Sequence, residues 1–146
     1  MQKYYKVVRV EKKDGKRILS SAFAHVINSQ LKTIYAYNQW TFANPILLEQ
    51  GLGLCVFDNY SDALYYYHNT SVLERITCEI WQCDVNVMNN PYYCRIYASL
   101  TKFCGMKGMT YDRDKMSDLK KYCDVEWPKG TILAESIRLR KKCHIE

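Results

Sequence analysis

A chain of 146 residues with 48% hydrophobic and 25% charged residues is about one domain long and close to a globular average. That excludes disorder over most of its length and lets a core form without disulfide or metal staples. The net charge of +6 is uneven: residues 1–21 carry +5, residues 33–100 carry −4 and residues 101–146 return to +4.

No apolar run nears the roughly 20 residues that cross a bilayer. The start M-Q-K-Y-Y-K-V-V-R-V lacks a signal-peptide core, so neither a membrane partner nor secretion is expected. The seven cysteines are odd in number, none is spaced C-x-x-C, and several fall in strand-like runs. Free thiols in a reducing, cytoplasmic compartment are expected. Cys78 and Cys83 have odd spacing on one strand, which puts them on opposite faces and argues against a local metal-ligand pair. No metal is expected.

Tyr4 to Val10 alternates and is rich in β-branched residues, which predicts a strand. Asp14-Gly15 predicts a tight hairpin turn, with Ile18 to Phe23 as the returning arm. Thr33 to Phe42 alternates with aromatics and predicts a third strand or a strand pair ending at Asn44-Pro45. Leu52 to Phe57 predicts the next strand. Gly51 and Gly53 before it fit an unusual backbone bend better than a phosphate loop, since no Lys-Ser or Lys-Thr follows.

Asn59 is placed to cap a helix, with Asp62 at the third helical position as a capping-box partner. Ala63, Leu64 and Tyr67 then supply an apolar face. Ile76 to Val87 predicts a long strand closed by Asn89-Asn90-Pro91. Residues 92–126 are less legible: Tyr93 to Phe103 reads as strand or helix, Gly105 to Met109 as a loop, and Met116 to Tyr122 as a short helical turn. A turn over 127–131 leads into a last strand, Ile132 to Lys141. The whole predicts one α+β domain over residues 1–146, with a mostly antiparallel sheet of about seven strands and one or two short helices. Leu54, Val56, Ala63, Leu64, Ile80 and Trp81 are expected to share one core.

Thirteen tyrosines, three tryptophans and four phenylalanines exceed what a core of this size needs. Tyrosine combines a large apolar area with a polar tip, which suits a half-exposed sheet or a ligand surface. Two basic clusters flank the domain: Lys12, Lys13, Lys16 and Arg17 near the start, and Arg138, Arg140, Lys141 and Lys142 near the end. Were the first and last strands neighbours, these would form one face able to meet phosphate, with aromatics to stack bases. Solvated charges protecting sheet edges are the plainer reading. Of the three histidines, His68 suits a helix C-terminus, His144 lies in the tail and His25 has no visible partner. No Ser-His-Asp or Cys-His order stands out.

The segments Y-Y-K-V-V-R-V, L-S-S-A, G-L-C-V-F-D-N-Y-S-D-A-L-Y-Y-Y, E-I-W-Q-C-D-V and W-P-K-G-T-I-L-A-E-S-I-R-L together resemble a loose group of small uncharacterised domains from phages, other viruses and bacteria. The likeness spans both ends and the centre, and leaves out residues 24–45 and 92–126. It implies a non-catalytic binding module for a nucleotide, a nucleic acid or a host protein, needing no cofactor and able to antagonise a host defence. The order of strand, Gly-Leu-x-x-Phe strand, helix and strand also resembles the ADP-ribosyltransferase-like fold. That resemblance implies an NAD-using enzyme, with Arg9, Ser20 with Ser21, and Glu79 or Glu135 in the catalytic positions. Ser20-Ser21-Ala22 stands where that family has Ser-Thr-Ser, and Glu79-Ile80-Trp81 where it has a Glu-x-Glu pair. A structural or oligomeric scaffold is the third reading, and oligomeric state stays open.

Overall fold

The computed structural model describes residues 2–22, 33–45, 48, 53–73, 76–89 and 129–145. Among them lie seven strands and one 14-residue helix: β1 (Tyr4–Lys13), β2 (Lys16–Ser21), β3 (Ile34–Tyr35), β4 (Trp40–Phe42), β5 (Leu54–Phe57), α1 (Tyr60–Leu73), β6 (Cys78–Val87) and β7 (Thr131–Lys142). Every pairing is antiparallel, and the α+β character is as expected. The segments predicted over 92–126, His25, and Asn90-Pro91 lie outside the described residues.

The hairpin turn forms as its residues require. Asp14 and Gly15 both take positive φ, 53° and 77°, the backbone of a tight turn whose twist matches the strands. Asn38, with φ of 59°, turns the chain between β3 and β4. The aromatic run 33–42 is thus a strand pair, and its halves part company: β3 pairs with β2, while β4 pairs with β7.

The sheet closes on itself. β6 lies between β1 and β7, and β5 also joins β7 back to β1, the latter through the single pair Tyr5–Phe57. Two register shifts along β6 and β7 leave Glu135 and Arg140 as extra residues. Such bulges sharpen the local twist, which helps so few strands curl into a ring. β1 and β7 are therefore not neighbours as the charge argument supposed; β6 separates them on one side and β5 on the other.

Closure divides the apolar residues into two clusters. Val8, Leu19, Tyr35, Leu54, Val56, Cys83, Ala134, Ile137 and Leu139 fill the inside of the ring, with Trp81 packed against them. Val7, Phe57, Ala63, Cys78 and Ile80 form the second, where α1 covers the outer face, joined by Leu64, Tyr66 and Tyr67. The six residues expected to share one core are split between the two, because alternate residues of β5 and β6 face opposite sides. The same alternation puts Cys78 and Cys83 in different clusters, as their spacing predicted.

Helix α1 begins as its sequence specifies. Asn59 Oδ1 accepts from the Asp62 backbone N–H at 2.8 Å, and Asn59 Nδ2 donates to Asp62 Oδ2 at 2.6 Å. At Gly53 closeness rather than a left-handed backbone explains the glycine, and Gly51 lies outside the described residues. The Gly53 φ is not in the left-handed region; instead a Cβ there would sit 2.5 Å from the Ala134 carbonyl oxygen and 2.6 Å from Met88 Sδ. Glycine is needed for close strand approach.

Candidate nucleic-acid interface

Three strands build an outer face away from α1. The register aligns Trp40 with Arg138 and Asp84, and Phe42 with Ser136 and Asn86. Between these rows Thr41 aligns with Ile137 and Val85, and the last two belong to the interior. Trp40 and Phe42 must therefore point outward. They are 38% and 68% exposed, and Tyr37 in the preceding turn is 62% exposed.

The polar side chains on this face hold one another in place. Arg138 donates to Asp84 Oδ2 through Nε at 3.2 Å and Nη2 at 2.8 Å, and its guanidinium carbon lies 4.8 Å from the Trp40 ring centre. Arg140 donates to Asn38 Oδ1 at 2.8 Å, with its Nε 3.7 Å from Asp84 Oδ2. Asn86 Nδ2 donates to Ser136 Oγ at 2.7 Å. A planar cation under an indole fixes the ring while leaving its charge available at the surface.

At the rim of the ring, where β2 and β6 begin and β7 ends, a second group gathers around Glu79. Arg17 Nη2 donates to Oε1 at 2.6 Å and Oε2 at 2.7 Å, Lys142 Nζ is 3.0 Å from Oε2, and Trp81 Nε1 donates to Oε1 at 3.1 Å. Burial alone would push the Glu79 pKa up. The hydrogen bonds from Lys142, Arg17 and Trp81, together with the Arg17 charge, outweigh it and hold the carboxyl below its ordinary 4.5. Tyr37 connects the two groups, its ring centre 5.9 Å from that of Trp81.

The basic ends thus meet in part. Arg17 and Lys142 share a carboxylate, Arg138 and Arg140 line the outer face, and Lys12, Lys13, Lys16 and Lys141 are exposed without an ion pair among the described residues. The residues assigned by the transferase resemblance are placed differently. Arg9 pairs with Glu11 at 3.2 Å, Ser20 is fully buried and its Oγ has no hydrogen-bond partner among the described residues, and Ser21 Oγ accepts from the Thr33 N–H at 3.1 Å. Glu79 has both oxygens occupied, and Glu135 is an exposed bulge residue.

A cleft of about 400 Å³ lies beside the rim, between Tyr67 of α1, the start of β6 and the segment Lys142–Ile145. Cys78 and Cys143 both line it, and burial pushes both thiols up. A thiol held in its protonated form is a poor nucleophile at neutral pH. Among the described residues no group of three or more His, Cys, Asp or Glu is arranged to hold a metal, and no helix is long and apolar enough to cross a membrane.

The cations are legible in the sequence and their setting is not. Trp40, Phe42, Asp84 and Asn86 entered only as strand residues, because their common face depends on pairing β4 and β6 to β7. No protein-family model matches the chain, and neither curated proteins nor solved structures contain a match.

Proposed function

We propose that this protein is a non-catalytic binding module that holds nucleic acid against the β4–β7–β6 face and the adjoining rim. The observation that carries this reading is the Trp40–Arg138 stack beside the Arg17–Glu79–Lys142 cluster: aromatic surface and cations ordered side by side. Stacking surfaces offer every base a partner, and Lys and Arg meet phosphates while releasing counterions. Glu79 and Asp84 offset part of the charge and orient four of the cations. Lys12, Lys13, Lys16 and Lys141 add positive field around them, which steers a polyanion toward the face.

The test is a titration of labelled RNA and DNA oligonucleotides at low and high salt. Binding should weaken steeply as salt rises, and Arg17→Gln with Lys142→Gln should reduce the slope of log affinity against log salt by about two. Absence of binding to any oligonucleotide at low salt would refute the reading and move the search to a protein partner.

A further inference from the structure

Trp40 and Phe42 stand two residues apart on one side of β4, and that spacing constrains what can lie on them. Side chains at i and i+2 of a strand are roughly 6.6 Å apart, twice the rise per residue. Bases within one strand of a duplex stack at about 3.4 Å. Two bases on these two rings must be unstacked from each other, with their π faces open. A paired helix keeps those faces closed. We infer that the ligand on this face is a single strand of nucleic acid, with two successive bases resting on Trp40 and Phe42 and its backbone passing over Arg138 and Arg140. The inference rests on the nucleic-acid reading above and narrows it.

Three features fit a splayed single strand. Arg138 stacks on Trp40 at 4.8 Å and holds the ring in place, so little side-chain freedom is lost when a base lands on it. Asn86 gives one amide N–H to Ser136, and its carbonyl oxygen and second N–H, which meet no partner among the described residues, can serve a base edge. Asn38 accepts from Arg140, and its amide donors, at the other end of the same face, meet no partner among the described residues. Short edge strand β4 has only three residues, so bases can drape across it without meeting a further strand among the described residues.

The experiment compares a labelled oligouridylate, a mixed-sequence duplex and heparin, measured by anisotropy at one ionic strength. Wild-type protein should prefer the single strand over the duplex by about tenfold or more. Trp40→Ala with Phe42→Ala should abolish that preference and leave heparin binding within about twofold. If the double variant does not fold, Trp40→Phe against Trp40→Leu replaces it: the aromatic should retain the preference and the aliphatic lose it. Equal binding of single strand and duplex, unaffected by the aromatic substitutions, would overturn the stacking inference and leave nucleic-acid binding intact. No binding of any polyanion would overturn both.

Discussion

Arg17 and Lys142, from opposite ends of the chain, grip the same carboxylate: Arg17 Nη2 sits 2.6 Å from Glu79 Oε1 and Lys142 Nζ 3.0 Å from Oε2. The two cations are about half exposed, whereas the Glu79 side chain is only 10% exposed. The carboxylate is thus the buried member of the group and the cations its surface. It ties the β2 arm to the end of β7 across the rim.

Glu79→Gln should therefore act in opposite directions on folding and on binding. Losing the charge weakens hydrogen bonds that are charge-assisted, at a cost of about 1–3 kcal/mol. It also frees the charge of Arg17 and Lys142 for an incoming phosphate. Urea denaturation should show a lower midpoint, and oligonucleotide titration at fixed salt should show tighter binding. A variant that is destabilised without any gain in binding would remove the rim from the interface.

The same carboxylate predicts how acid acts. Its folded pKa lies below the ordinary 4.5, so the folded state favours the ionised form. The associated stability is fully present above the ordinary value, falls as pH drops below it, and is gone once pH passes the folded value. Urea midpoints measured from neutral to acid pH should show wild type and Glu79→Gln converging in acid. A gap independent of pH would mean that ionisation of Glu79 is not what separates the two proteins.

Local chemistry was legible and long-range register was not. The Asn59 cap and the Asp14-Gly15 turn depend on residues within a few positions, so their sequence alone specifies them. Trp40 and Phe42 looked like ordinary strand aromatics. Their exposure follows from pairing with Arg138 and Ser136, residues more than half the chain away. Closure of the sheet, with alternate residues facing opposite sides, produced the division into inner and outer clusters, and no periodicity in β5 or β6 distinguishes a closed ring from an open sheet. The bulges at Glu135 and Arg140 likewise arise from register between β6 and β7.

Gly53→Ala tests that closure directly. The added Cβ would meet a backbone oxygen of β7 at 2.5 Å, which no rotamer change relieves. Forcing β5 away from β7 disturbs the packing of Leu54 and Val56 inside the ring, an overpacking cost of about 1–3 kcal/mol. Thermal denaturation should show a lower Tm, while Gly15→Ala in the open hairpin turn meets no atom and suffers only from its positive φ. Equal tolerance at both positions would contradict the close approach of β5 and β7.

Cysteine reactivity separates the interior from the rim. Cys83 faces the inside of the ring, where burial pushes its thiol up to about 12. Its thiolate fraction at neutral pH is then on the order of one in 100,000, and reagents cannot reach it without opening. Cys143 is partly exposed on the cleft, and its thiol is also pushed up by burial. Iodoacetamide labelling followed by peptide mass spectrometry should modify Cys143 well before Cys83 in the native protein. In denaturant without reductant, all seven cysteines should react. A count of three or fewer that reductant restores would reveal disulfides, and early labelling of Cys83 would show that the ring opens on the timescale of the reaction.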